Sequence, residues 1–143
     1  MKAKTVLISI QPVYAEKILT GDKHLEFRRN WATEPIDLLV IYATAPSKKI
    51  VATAEIKQVI SGSKTKLWNL AKEMGGGISR RKLFAYLEGK KKAFAIELMH
   101  VNPIPDGLDP ITIFGRDFRP PQSFRYFTDE ESLSIQNFMG RKA

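Results

Sequence analysis

Within eight positions the chain places a glycine, a lysine, a carboxylate and an arginine: Gly21, Lys23, Glu26 and Arg28, with His24 among them and Arg29 immediately after. Charged groups gathered at one point oppose folding unless they pair with one another or face a cleft. Lys23 and Arg28 are suited to phosphate, the arginine through its planar fork. Glu26 can accept a proton or hydrogen bonds from a base amino group or a ribose hydroxyl. His24 adds an imidazole able to act as a general base. The residue types therefore point to a nucleotide or nucleic acid rather than to a metal. With no cysteine and only two histidines, His24 and His100, no metal site and no cofactor is expected.

The elements around this cluster are legible from pattern. Thr5–Ile10 is an apolar, β-branched run and reads as a buried strand. Pro12 suits the first turn of a short helix with Val13, Ala15, Ile18 and Leu19 on its buried face, and Gly21 suits its left-handed end. A strand over 23–29 turns Leu25 and Phe27 to the core and His24, Glu26 and Arg28 to the other side, which then shows a cation, an anion and an imidazole side by side. Lys23 has the wrong parity for that side, but its long stem can turn toward it.

Further strands are predicted over 37–43, from Ile50 to a break at Ser61-Gly62-Ser63, over 93–101 and over 122–127. Two helices flank the joint Gly75-Gly76-Gly77, the second capped by Ser79 and opening on Arg80-Arg81-Lys82. The stretch 102–117, with three prolines and two glycines, is expected to be loop. Pro120-Pro121 demands an extended edge position. Thr128–Glu131 matches a capping box ahead of a final helix over about 129–139. Nothing marks an interdomain linker or a repeat, so residues 1–143 are read as one domain. Alternating strands with helices between and after them indicate an α+β fold built on a small barrel.

The formal net charge is +8, from 23 lysines and arginines against 15 carboxylates, and 43% of residues are hydrophobic. That balance favours a polyanionic partner such as nucleic acid. The apolar run at 6–10 is too short for a signal peptide or a membrane span, so a cytoplasmic protein with no membrane partner is expected.

The spacing Gly21-x-Lys23-x-x-Glu26-x-Arg28 resembles the signature of the ASCH superfamily, small barrels similar to PUA RNA-binding domains. The flanks Leu7–Pro12 and Ala15–Leu19 resemble the family's preceding strand and helix. Arg119–Phe124 resembles a late segment of its prokaryotic and phage members. The likeness runs from about Val6 to Tyr126. It implies a PUA-like fold with flanking helices and a ligand cleft lined by the signature.

Combined with the residue chemistry, this gives a ligand-binding set of Ser9, Gln11, Pro12, Lys23, Glu26, Arg28, Arg29, Gln122 and Ser123. RNA or a nucleotide-like ligand is expected there, and a protein partner is a further possibility. Tyr14, Phe27, Trp31, Tyr42 and Trp68 are candidates for stacking on a base.

Two enzymatic alternatives follow from the resemblance. One is a metal-independent ribonuclease, with Lys23, Ser123 and Tyr14 or His24 serving attack by an RNA 2′-hydroxyl, while Glu26, with Lys23, is the candidate for activating a water in a hydrolase. The other is an amidohydrolase acting on N4-acetylcytidine. There Lys23 stands at the branch's lysine position, but Glu26 stands where its threonine is expected. A transcription-coactivator or protein-interaction role is a third class. Lys23→Ala and Glu26→Ala are expected to abolish binding and leave folding intact.

Overall fold

The computed structural model describes residues 4–142. In chain order the elements are β1 (Lys4–Ile10), α1 (Pro12–Thr20), β2 (Leu25–Arg28), β3 (Ile36–Ala43), β4 (Lys49–Gly62), α2 (Lys64–Met74), α3 (Arg80–Tyr86), β5 (Ala93–Leu108), α4 (Ile111–Phe114), β6 (Phe124–Tyr126) and α5 (Asp129–Lys142). The six strands form one sheet in the order β2-β5-β4-β3-β1-β6. It curls into a half-barrel with an α+β arrangement of helices around it. Its edges, β2 and β6, do not pair with each other.

β1 lies parallel to β3 and antiparallel to β6. Strands inside a sheet covered on both faces read as continuous apolar runs, and β1 is buried from Thr5 to Ile10. Its residues alternate between two cores. Val6, Ile8 and Ile10 pack with Ala15 and Ile18 of α1. Leu7 packs with Val40, Ile50 and Ile135 of α5. A third core, built on Leu25, Phe27, Ala93 and Ala95, is closed by Leu67 and Ala71 of α2 and Leu83 of α3. α1 and α5 thus pack on opposite faces of β1, each through the residues it buries, while α2 and α3 close the third core.

Local signals account for the helix ends. Pro12 stands in the first turn of α1, and Gly21 ends it at φ 86° with its amide donating to Ile18 O. The hydroxyls of Ser63 and Ser79 accept from the amides of Lys66 and Lys82. Before α5 the capping box is reciprocal: Glu131 N–H donates to Thr128 Oγ1, and Thr128 N–H donates to Glu131 Oε1.

The break expected at Ser61-Gly62-Ser63 falls there, with β4 ending at Gly62 and Ser63 capping α2. Four expectations need correction. The strand expected over 23–29 spans only Leu25–Arg28, and the one expected over 122–127 spans only Phe124–Tyr126. The final helix continues past 139 to Lys142. The largest difference is β5, which does not stop at 101 but passes through Pro103 and Pro105 to Leu108. β2 covers one side of β5 only over 94–97. Beyond that point β5 pairs only with β4, and it does so through three register shifts. A proline lacks a ladder donor, and an edge with bulges tolerates it. The same segment contains His100 and Asp106 at positive φ. The short α4 in the expected loop carried no sequence signal.

Candidate functional site

The signature residues meet where the sheet fails to close. Lys23 comes just before β2, while Glu26 and Arg28 project from one face of it, on the edge strand of the half-barrel. Arg28 spans the gap to the far end of the sheet, where β1 and β6 lie. Its Nη2 donates to the carbonyl of Ser9 in β1 at 2.7 Å and to Glu26 Oε2 at 2.6 Å. Its Nη1 approaches Ser123 Oγ, just ahead of β6, at 3.4 Å. Ser9 Oγ in turn donates to Pro121 O at 2.7 Å. The arginine is thus a polar clasp across the seam.

Lys23 is set as firmly. Its ammonium donates to Gly76 O at 2.6 Å and lies 3.8 Å from Glu26 Oε1. The rings of Tyr14 and Phe27 stand 5.3 and 5.0 Å from it. Burial lowers its pKa from the usual lysine value, helped by repulsion from Lys17 and Arg28 and opposed by attraction to Glu26. The three carbonyls of the glycine joint each accept a donor from the α1–β2 region: Gly75 O from His24 N–H, Gly76 O from Lys23, and Gly77 O from Lys17 Nζ. The joint is therefore a strap wrapped over Lys23. A methyl group on Gly77 would lie 2.7 Å from Lys23 Cβ.

The polar side of β2 faces a cleft, with its charged side chains set deep in it. Lys23, Glu26 and Arg28 are only 3, 7 and 6% exposed. They form the floor of a cleft of about 750 Å³, whose walls are Gln11, Val13 and Tyr14 of the α1 entry, Lys82, Ala85 and Tyr86 of α3, and Pro120–Gln122. Arg28 Nε is buried with no hydrogen-bond partner among the described residues.

The expected residues separate accordingly. Ser9, Gln11, Lys23, Glu26, Arg28, Gln122 and Tyr14 come together in the cleft, with Phe27 at its floor. Pro12 stays in the first turn of α1, and Ser123 sits behind Arg28; neither is part of the lining. Arg29 turns away, and its Nη1 donates to the carbonyls of Tyr86 and Glu88 and so pins the end of α3. His24 is exposed and lines a different hollow with His100, so its imidazole does not join the cluster. Trp31 packs on Phe124 at 4.8 Å and Trp68 joins the third core. Tyr42 packs on Phe118 in a neighbouring pocket of about 440 Å³, which also holds Lys48 and Arg116 and meets the first cleft at Thr44 and Pro120.

A family model for the ASCH domain matches residues 8–105. The chain belongs to the ASCH family. Among its ASCH relatives, an ASCH domain-containing ribonuclease of Zymomonas mobilis is 33% identical over 135 residues, covering 92% of this chain and 90% of the relative. The crystal structure of ASCH from Zymomonas mobilis aligns with a TM-score of 0.83 over 94% of each chain, at 29% identity. The N-terminal domain of Staphylothermus marinus McrB shares the fold at a TM-score of 0.56 and 12% identity, covering 96% of this chain and 95% of that one.

Within this ASCH domain, sequence reasoning allowed the helix pair as a cover over a cleft and Arg80–Lys82 as a contact to a phosphate backbone, but it named no α3 residue in the lining, and Ala85 and Tyr86 carried no signal. Their approach to β2 depends on the glycine strap and the Arg29 pin, which are long-range contacts. Among the described residues, no helix is long and apolar enough to cross a membrane.

Proposed function

We propose that the chain binds single-stranded RNA in the seam cleft and cleaves it there. The observation that carries this reading is the pair Lys23 and Glu26: an ammonium whose proton affinity is lowered by burial, 3.8 Å from a carboxylate, on the floor of a nucleotide-sized cleft. The likeness to a protein described as a ribonuclease supports it.

In this reading the 2′-oxygen of a bound ribose forms a bond to phosphorus while the bond from phosphorus to the 5′-oxygen breaks. Glu26 takes the proton of the 2′-hydroxyl. Lys23, made a better acid by its burial, gives a proton to the departing 5′-oxygen. A proton passed from Glu26 to Lys23 restores the pair. Arg28 holds Glu26 in place and adds positive charge near the phosphate. Tyr14 and Phe27 frame the space available to a base, and Lys82 stands at the rim for a neighbouring phosphate.

The test is incubation of the protein with end-labelled single-stranded RNA, in magnesium and in chelator, with N4-acetylcytidine in parallel. Cleavage leaving a 2′,3′-cyclic phosphate is expected, abolished in Glu26→Gln while RNA binding persists. Deacetylation of the nucleoside with RNA left intact would replace this reading by the amidohydrolase one. Full RNA cleavage by Glu26→Gln would remove Glu26 from the chemistry.

A further inference from the structure

The cluster Arg80-Arg81-Lys82 opens α3. Only Lys82 of the three lines the cleft, one turn before Tyr86 on the same helix face. Arg80 and Arg81 are exposed, and no carboxylate among the described residues lies within ion-pairing distance of any of the three. The first turn of α3 contains no acidic residue. Successive helical positions fan these cations around the exposed side of α3, from the cleft rim at Lys82 through Arg81 to Arg80.

Two of the nearby cations are also held in place. Arg80 Cζ stands 4.2 Å from the centre of the Phe84 ring, and Lys64 Nζ of α2 stands 5.1 Å from it. The ring thus holds cations from two helices in one patch. The carboxylate partner of Lys64 is Glu88, at 3.5 Å, which is largely exposed. Such a pair is weak and readily exchanged for a phosphate. Side chains already held need less ordering when a ligand arrives.

We infer that this face, from Lys82 at the cleft rim through Arg81 to the Arg80–Phe84–Lys64 patch, is a track for the phosphodiester backbone of an RNA strand whose reacting nucleotide occupies the cleft. The inference rests on the RNA reading above and extends it from one nucleotide to a strand. Charge complementarity selects the occupant: an exposed band of cations starting at the cleft rim, in which only Lys64 has a carboxylate neighbour among the described residues, suits a regularly spaced polyanion. An acidic protein segment is the competing occupant, and the experiment separates the two.

The experiment compares binding of a labelled trinucleotide and a labelled dodecanucleotide of single-stranded RNA to the whole chain at roughly 50 and 200 mM salt. The parent is expected to bind the longer strand about tenfold more tightly, with a steeper loss in salt. Arg80→Gln/Arg81→Gln is expected to lose most of that advantage. Its salt slope should be shallower by about 1.4, corresponding to two phosphate contacts on a single strand. Trinucleotide binding and cleavage should match the parent. Arg81→Gln alone, which removes no recorded contact, should reduce the slope by about half as much. Thermal melting of both variants checks that they fold.

If both variants keep the length advantage and the slope, the track is wrong while RNA binding in the cleft stands. If the parent binds neither RNA, the RNA reading itself fails and the track with it. If a glutamate-rich peptide displaces the dodecanucleotide from this face as well as unlabelled RNA does, RNA is not its specific occupant and the inference is overturned.

Discussion

Arg28 joins the edge strand β2 to Ser9 of β1, the strand next to the other edge: its Nη2 donates to the Ser9 carbonyl at 2.7 Å across the opening. The same nitrogen donates to Glu26 at 2.6 Å, and both side chains are almost fully buried. The signature thus both closes the half-barrel and forms the floor of its cleft. Burial of these charges predicts that Lys23→Ala and Glu26→Ala cost folding free energy, contrary to the reading from sequence.

Removing Arg28 leaves Glu26 buried with Lys23, 3.8 Å away, as its remaining charged neighbour, and breaks the contact to the Ser9 carbonyl. Arg28→Leu is expected to lose about 3–5 kcal/mol. The double substitution Arg28→Leu/Glu26→Leu, which replaces the pair by apolar side chains, should regain much of that loss. Urea unfolding of the two variants and the parent checks both statements. Equal loss in the single and double variants would show that the clasp to Ser9, rather than the charge pair, dominates.

Lys23 gives the fold a pH dependence of known sign. Its pKa is lowered in the folded state, mainly by burial, while in the unfolded chain it remains near 10.5. Between those two values the unfolded chain binds more protons, so this residue's contribution makes the protein more stable as pH rises toward 10.5. Below the folded value the full penalty of burying the ammonium is present. The stability difference between the parent and Lys23→Met should therefore shift in favour of the parent as pH rises from neutral toward 10.5. Chemical denaturation at several pH values measures it; a difference that stays constant contradicts the burial argument.

Gly77 leaves space for the stem of Lys23. Gly77 has φ 65°, and an added Cβ would meet Lys23 Cβ at 2.7 Å and Cγ at 2.9 Å. Gly77→Ala combines backbone strain with overpacking and is expected to cost about 2–4 kcal/mol. Because the shift displaces the ammonium of Lys23, RNA cleavage should fall further than stability alone explains. Single-turnover cleavage, measured at a temperature where the variant is fully folded, separates the two effects.

The cap of α5 is a smaller, local test. Thr128→Ala removes one hydrogen bond of the capping box and should cost about 1 kcal/mol. Glu131→Ala should cost more. It also removes the two-pronged pair that Arg125 makes with Glu131, at 3.0 and 2.8 Å. Neither change should alter RNA cleavage, because neither residue lines the cleft. Thermal melts and cleavage rates together check this pair of expectations.

Much of the framework was written locally. Gly21 at a left-handed helix end, Ser63 and Ser79 at helix starts and the Thr128–Glu131 box act within a few residues, so the sequence alone located them. The alternation of Leu25 and Phe27 against Glu26 and Arg28 was also readable, as was the family, because its signature is contiguous. The sequence could not say whether the polar side of β2 faces water or a closed interior. Parity assigns a side, but only partners distant in sequence, here α1, α3 and the Pro120–Gln122 segment, decide what covers it. For the same reason the reach of β5 through two prolines was hidden: a proline is excluded only where a neighbouring strand needs its missing donor, and that neighbour is absent beyond Leu98. Residue types and spacing determined which groups meet; the long-range packing of helices over an unclosed sheet decided that they meet buried, clasped across a seam and strapped by three glycines.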